Sequence, residues 1–458
     1  MLSYEEARLF LEQTSRFGSV LGLTSMKALM EELGNPQDAI SVIHIAGTNG
    51  KGSVGAYLAS IGKAAGLKVG RYCSPAVFDP LECWQYNGRN ISPEEYASFL
   101  SEVKKAYEKV VCKGIQPTVF ELETALAFVY FKAMKVDVLF LETGLGGETD
   151  ATNVVKHPLA CVFTTISRDH MQFLGETLTE IALVKSGIIK AGAYVFSAEQ
   201  KPEVKLVLDE KATQVNEGYL IDKKNCVTYV DTEALEFVSQ RPGQLEFYYK
   251  GKKYTTSMAG MYQMQNAALA IEVFEKIFLN LPEMSDFQIP AVCDMLEERG
   301  QVEIIAYGVE KAYWPGRFEV IGYHPLCLID GAHNEDAVKQ LAITVEKSFT
   351  NQPLDLIIGI LADKEHEKML AYMMPFANRI FTVTPPNQRG LDGKILAEEV
   401  KVWHEDVICC ESIKEAVEAA ISHSTEKGCP ILAFGSLSYL GILKENYKQI
   451  CESRMRDV

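Results

Sequence analysis

The stretch Ser41-Val-Ile-His-Ile-Ala-Gly-Thr-Asn-Gly-Lys-Gly-Ser53 constrains this chain more than any other. Ser41 to Ala46 mixes β-branched and apolar residues as a buried strand does. Gly47 to Ser53 breaks that pattern, and Val54 to Ala65 continues in helix-compatible residues. Strand, glycine turn and helix together form the frame in which backbone N–H groups close around phosphate oxygens at a helix N-terminus. In that frame Lys51 reaches the outer phosphates and Ser53 offers a hydroxyl near magnesium. Gly52 separates the lysine from the serine, so the spacing departs from GxxxxGK[ST]. We read the stretch as a nucleotide phosphate site.

A length of 458 residues exceeds one ordinary core and predicts two or three domains. A net charge of −16 argues against a nucleic-acid surface, which needs basic patches, but leaves room for an anionic small substrate in a local basic pocket. The opening MLSYEEARLFLEQ lacks a basic, then apolar, leader pattern, and no apolar run reaches membrane-spanning length. The 11 cysteines are scattered without a CxxC pair, which points to reduced thiols in a cytoplasm.

Further along, strand after strand ends in a polar group. Lys68–Tyr72 is followed by Cys73-Ser74-Pro75. Val136–Glu142 ends in a carboxylate able to orient magnesium or its water, as a buried strand beside a phosphate loop does. Gly144–Gly147 then leaves room for close approach, and Asp150–Asn153 supplies oxygens and amides. Leu159–Ser167 runs into Arg168-Asp169-His170, a potential metal ligand with its orienting partner. In a doubly wound sheet these strand ends form the ligand edge. Helices are expected at 93–111, opened by Ser92 and Pro93, and at 118–134, where Phe120, Thr124, Phe128 and Phe131 make a core stripe. Lys185 lies among apolar neighbours, and by itself reads as a snorkelling lysine.

Residues 201–257 read as short β-type runs, with a hairpin about Gly251, forming an excursion on the first domain. Residues 260–279 read as helix, and three short periodic pieces follow between Asp286 and Glu298. Strands at 325–330, 354–360, 379–384, 406–410 and 430–434 alternate with helical segments, which predicts a second, Rossmann-like parallel sheet. Its first strand is followed by Asp330-Gly-Ala-His333-Asn334 rather than GxGxxG, which argues against dinucleotide binding. The expected division is 1–299, a linker at 300–316, and 317–458.

HIAGTNGKGS (44–53), CSP (73–75), FELETALAF (120–128), ETGLGGETDATN (142–153), DHMQFLG (169–175), KSGIIK (185–190), MYQMQNAALA (261–270), WPGRFEV (314–320), DGAHN (330–334) and GSLSYLG (435–441) resemble, in order, the folylpolyglutamate synthase/dihydrofolate synthase family of the Mur ligase superfamily. The resemblance implies an α/β protein, with a phosphate-loop ATPase domain of parallel-rich sheet and a smaller Rossmann-like C-terminal domain, ATP lying between them. It implies ATP contacts from Thr48, Asn49, Gly50, Lys51, Gly52, Ser53, Asn266, Arg317 and Asp330. His333 could contact nucleotide or substrate. Ser74, Glu142 and His170 become magnesium ligands, with potassium a possible further ion. Lys51, Lys185 and His170 become the catalytic set, and Lys185 matches a lysine that the family carbamylates. Expected partners are ATP, L-glutamate and a folate or dihydropteroate, with no nucleic acid and no membrane, in a cytoplasmic monomer.

The implied reaction joins glutamate to a folate carboxylate through an acyl phosphate, which needs charge neutralisation more than a nucleophilic side chain. Relative to the family pattern, Ala76 replaces a histidine, FDPLECWQYNG (78–88) replaces an FxERIxxNG-like block, Glu148 an arginine and Val184 an acid. These bear on the organic substrate rather than on ATP. Two alternatives remain: another Mur-type amino-acid ligase, although residues 1–40 are short for its extra domain, and a non-catalytic ATP-binding paralogue.

Overall fold

The short apolar runs of the first half become strands buried on both faces, which is why they read as continuous rather than alternating hydrophobics. The computed structural model describes residues 1–14, 22–217, 226–279 and 300–456. It has two units, one of Met1–Leu235, Tyr249–Lys252 and Gln265–Ala312, the other of Glu236–Tyr248, Lys253–Met264 and Tyr313–Val458.

The first unit carries β1 (Val42–Ala46), β2 (Val69–Tyr72), β3 (Trp84–Tyr86), β4 (Arg89–Asn90), β5 (Val138–Glu142), β6 (Ala160–Phe163), β7 (Tyr194–Ser197) and β8 (Val227–Tyr229). Their order is β4-β3-β2-β5-β1-β6-β7-β8. Only β3 is reversed, antiparallel to both β2 and β4, and β1 is central, paired with β5 through Ile45↔Glu142 and with β6 through Ala46↔Phe163. That register brings the ends of β1, β5 and β6 to one edge. One face of the sheet is covered by the helices Pro93–Cys112, Val119–Ala133, Leu178–Ser186 and Pro202–Val215, the other by Lys51–Ala64, whose Gly62 lies against Val69 and Phe140. Ser92, Thr118 and Thr177 each accept a hydrogen bond from the third helical N–H while that residue's glutamate returns the bond. These reciprocal caps fix where the helices start.

The linker expected at 300–316 is instead largely a helix, Gln301–Lys311, belonging to the first unit. It crosses the helix Lys51–Ala64 so closely that a Cβ on Gly308 would lie 2.5 Å from the Ile61 Cα. The sequence signal failed there because Gly308, a packing glycine, looks like a breaker. Helix Pro202–Val215 lies in a segment read as β-type, and helix Leu437–Arg456 extends beyond the last segment assigned from the sequence. The pieces expected between Asp286 and Glu298 lie outside the described residues.

A three-stranded sheet holds β9 (Leu235–Arg241), β10 (Gln244–Tyr249) and β11 (Lys252–Thr256). The last two are joined through Lys250 and Gly251 at φ 50° and 72°, the double left-handed turn that tight hairpins favour. Most of this sheet groups with the second unit, not the first as expected. The second unit's main sheet contains β12 (Glu319–Tyr323), β13 (Leu326–Ile329), β14 (Leu354–Ile358), β15 (Ala377–Thr382), β16 (Val407–Cys409) and β17 (Ile431–Phe434), in the order β12-β13-β17-β14-β15-β16. Five strands are parallel, as the alternation predicts, and β12 adds an antiparallel edge. Among the described residues no helix is long and apolar enough to cross a membrane.

Candidate active site

At the end of β1 the chain turns through the glycine loop into the helix Lys51–Ala64, whose N-cap is Gly50 at φ 98°. Two of its glycines are required by their surroundings. A Cβ on Gly47 would lie 1.9 Å from Thr164 Oγ1, and one on Gly50 would lie 2.6 Å from Asn266 Oδ1. The loop is strapped to the segment after β6. Thr48 and Asn49 N–H donate to Thr165 O at 2.8 and 3.3 Å. Thr48 Oγ1 donates to Ser167 O and accepts from Ser167 N–H, both at 3.0 Å, and Asn49 Nδ2 donates to Ser167 Oγ at 3.3 Å. These side chains hold the loop's shape, while Asn266 stands directly beside Gly50. Ser53 is buried at the start of the helix.

Two lysines converge on one carbonyl. Lys51 Nζ curls back to Gly47 O at 3.3 Å and Thr48 O at 3.4 Å, with Glu142 Oε1 3.9 Å away. Lys185 Nζ, buried on the helix Leu178–Ser186, donates to the same Gly47 O at 2.7 Å. Burial, helped by the Lys51 charge, pushes the Lys185 pKa down to about 7, while Asp169 and Asp150 pull the other way. A substantial fraction of Lys185 is therefore neutral amine near pH 7. The snorkelling reading is overturned: this side chain points inward to the loop.

The strand order β2-β5-β1-β6 places Ser74, Glu142, the glycine loop and residues 164–170 along a single edge. Ser74, just past β2, is partly exposed. His170 heads the short helix Met171–Leu174 at φ 51°, with its side chain 40% exposed and Nε2 4.0 Å from Asp169 Oδ2. Among the described residues no three or more His, Cys, Asp or Glu are gathered to hold a metal. Magnesium does not require such a cluster, because it keeps several waters and takes phosphate oxygens alongside one or two carboxylates. Glu142, enclosed and facing the loop, fits that demand, with Ser74 and His170 on the same edge.

Asp150 and Asn153, expected to offer oxygens and amides to a ligand, are turned inward instead. Asp150 accepts from Leu145 N–H at 2.7 Å, Thr152 N–H at 3.0 Å and the Thr152 hydroxyl at 2.5 Å. Because that hydroxyl donates to Asp150, it accepts from His44 Nε2, 2.8 Å away. Burial lowers the His44 pKa to about 3, so the ring is neutral with its proton on Nε2. Asn153 Nδ2 donates to Glu148 O at 2.9 Å and Gly187 O at 3.2 Å. This network fixes the Gly144–Gly147 loop against the Lys185 helix, where a Cβ on Gly147 would stand 2.6 Å from Lys185 O. Arg71, buried in β2, similarly holds Gly52 O at 2.8 Å. Sequence reasoning passed over His44 and Arg71, although a polar residue inside a wholly apolar strand was the available signal.

In the second unit Asp330 ends β13 with both oxygens engaged. Oδ2 accepts from the Tyr262 hydroxyl at 2.7 Å and Phe318 N–H at 2.8 Å, and Oδ1 accepts from Ala332 N–H at 2.8 Å. Burial raises its pKa, and Tyr262, then Arg317, counteract. Arg317 donates to Gly316 O at 2.9 Å, and His333 Nδ1 lies 2.8 Å from Gly331 O. Asp330 thus shapes the turn that displays Arg317 and His333.

Known proteins resemble this chain over most of its length. Residues 45–274 match the Mur ligase middle domain, and residues 316–437 match the Mur ligase glutamate ligase domain. The dihydrofolate synthase/folylpolyglutamate synthase of Bacillus subtilis is 36% identical, over 88% of this chain and 91% of its own length. The folylpolyglutamate synthase of Lacticaseibacillus casei is 30% identical over 95% and 96%. A crystal structure of Mycobacterium tuberculosis folylpolyglutamate synthase with ADP and AMPPCP superimposes with TM-score 0.80, at 26% identity, over 97% of this chain and 98% of that one. A folylpolyglutamate synthase complex with AMPPCP and folate gives 0.76 at 27% identity, over 97% and 99%. With both Mur ligase domains matched and such relatives spanning nearly its whole length, the chain belongs to the dihydrofolate synthase/folylpolyglutamate synthase family.

Proposed function

We propose that the Gly47–Ser53 loop holds the phosphates of ATP, and that Lys51 and Lys185 on the Gly47 carbonyl, with Glu142 beside Lys51, form the centre of the reaction. The chain is an ATP-dependent ligase that adds L-glutamate to the γ-carboxylate of a folate. The carboxylate oxygen attacks the γ-phosphorus, the bond to the β-phosphate bridging oxygen breaks, and ADP leaves an acyl phosphate behind. The amine of glutamate then attacks the acyl carbon, loses a proton and expels inorganic phosphate, leaving an amide.

The chain's residues serve this in stated ways. Backbone N–H groups at the start of the helix Lys51–Ala64 face the phosphates, and the helix dipole favours their charge. Lys51 lies near enough to turn from Glu142 and the loop carbonyls to the transferring phosphoryl group, where charge neutralisation lowers the barrier. Glu142, Ser74 and His170 would hold magnesium, which supplies charge compensation and orientation of the phosphates. Lys185 has a lowered pKa and no carboxylate within ion-pairing distance among the described residues. Its neutral amine suits addition to carbon dioxide, giving a carbamate whose charge would favour nearby cations. Arg317 and His333 are the second unit's candidates for nucleotide contact, with Asp330 as the residue that positions them.

The observation that carries this reading is the convergence of two lysines on one glycine-loop carbonyl, with Glu142 beside Lys51. Glutamate addition to dihydropteroate is a second reading, favoured by the double name of the 36% identical relative. The ten described cysteines are all free thiols, which suits a proposed cytoplasmic setting, and a monomer with potassium as an accessory ion completes the proposal. Purified protein with ATP, magnesium, labelled glutamate and either tetrahydrofolate or dihydropteroate tests it. The expected result is ADP and a product heavier by one glutamyl residue. Absence of labelled product with both acceptors would overturn the reading.

A further inference from the structure

Arg71 stands in β2 with only 3% of its surface exposed. Arginine is almost never shut away unless its guanidinium is bonded. Arg71 pairs with Phe140 of β5, which puts both side chains on the sheet face that carries the helix Lys51–Ala64, where Gly62 meets Phe140. From that face Nη2 donates to Gly52 O at 2.8 Å, and Nε lies 3.4 Å from where a Gly55 Cβ would stand. The guanidinium therefore lies along the first turn of the glycine-loop helix. On its other side Nη1 donates at 3.2 Å to Oε1 of Gln85, the residue that faces Arg71 on β3. Gln85 Nε2 in turn donates to Asn90 Oδ1 on β4 at 3.1 Å. A cation anchored across three strands is thus held against the carbonyl of Gly52.

We infer that Arg71 is a positioning residue for the nucleotide: it fixes Gly52 between Lys51 and Ser53 and sets a permanent positive charge behind the phosphates, acting through the loop. This role rests on the loop being the ATP phosphate site proposed above. Gly52 is the residue that separates the lysine from the serine, and a glycine in the first turn of a helix is its least restrained link. A bond to its carbonyl from a guanidinium held across three strands restrains that link, and with it the residues on either side. The charge itself stands where the free protein gains least from it. A helix N-terminus favours anions over cations, and the Lys51 ammonium is already there, so a second cation, enclosed in the sheet, raises the local positive potential. A polyphosphate relieves that potential on binding, and relieves it more the more charge it carries. Arginine suits the place better than lysine because its planar fork reaches Gly52 and Gln85 at once.

The test is calorimetric titration of the full chain, in magnesium buffer, with AMPPCP, ADP and AMP, for the wild type, Arg71→Met and Arg71→Lys. No acceptor or glutamate is present, so the identity of the organic substrate does not enter. The wild type should bind AMPPCP more tightly than AMP; no such preference would overturn the phosphate-site reading, and the role of Arg71 with it. Arg71→Met should weaken AMPPCP by at least about tenfold, ADP by less, and AMP by less than about twofold. Loosened packing alone would weaken all three alike. Arg71→Lys keeps the charge and gives up one bond, and should stay within about threefold of the wild type for AMPPCP. Three results would overturn the role while leaving the phosphate site standing: unchanged AMPPCP affinity in Arg71→Met, an equal loss for all three nucleotides, or a lysine variant as weak as the methionine one.

Discussion

Lys185→Met separates the stability of this fold from its chemistry. The wild-type ammonium is destabilised by burial, its pKa falling from 10.5 to about 7. At about 1.4 kcal/mol per pH unit that corresponds to roughly 5 kcal/mol. The sign follows from proton binding. Between pH 7 and 10.5 the unfolded chain carries a proton that the folded chain lacks, so wild-type stability rises with pH across that window. Below pH 7 the full cost is present. Methionine has no such cost, but it gives up the bond to Gly47 O, which is worth about 2 kcal/mol for a charged donor. The variant should therefore be more stable than wild type by about 3 kcal/mol near pH 6.5, and this advantage should shrink by about 3 kcal/mol by about pH 9. Urea unfolding of both proteins at the two pH values, in buffer freed of carbon dioxide so that no carbamate forms, measures it. The same variant should be inactive in ligation. A difference in stability that does not change between the two pH values would refute the buried-ammonium argument, and wild-type turnover by the variant would remove Lys185 from the mechanism.

Lys51→Ala should lose at least a thousandfold in ligation while its melting curve is unchanged, because the side chain acts on phosphate and is only loosely held, at 3.3 and 3.4 Å, by the loop carbonyls; steady-state kinetics and calorimetry check both halves. Glu142→Gln and His170→Ala should both raise the magnesium concentration needed for half-maximal rate, with His170→Ala partly restored by excess metal; unchanged magnesium dependence in both would move the metal site elsewhere. For Glu123 the folded pKa is raised from 4.5 to about 7, so the wild type loses stability as pH climbs through that range. Glu123→Gln should match wild type near pH 4.5 and exceed it by about 2 kcal/mol above about pH 8, allowing for the residue's partial exposure; thermal melts across pH read this directly.

Much of the site was legible because parallel sheets concentrate chemistry at strand ends. Glu142 and His170 stood out as polar punctuation after apolar runs, and the glycine loop announced itself by the break between β1 and its helix. What stayed hidden has a physical cause in each case. His44 and Arg71 are buried by partners far along the chain, Thr152 and Gly52, so their roles depend on contacts that no local pattern encodes. Asp150 looked like a ligand donor because oxygen-rich turns serve ligands and their own backbone alike. Lys185 looked like a snorkelling lysine because only the fold reveals that its stem points inward to Gly47. Gln301–Lys311 was taken for a linker because Gly308, which permits close packing on Ile61, carries the same local signature as a helix breaker.

The central claim is that the folate carboxylate itself attacks ATP, in a site built around Lys51, Glu142 and Lys185. Acceptor labelled with ¹⁸O in the γ-carboxylate tests it most directly, with the inorganic phosphate analysed by mass spectrometry after one turnover. An acyl phosphate requires one labelled oxygen to leave with phosphorus, so the account predicts one ¹⁸O in phosphate for each amide formed. Phosphate free of label, with amide formed at the normal rate, would contradict it.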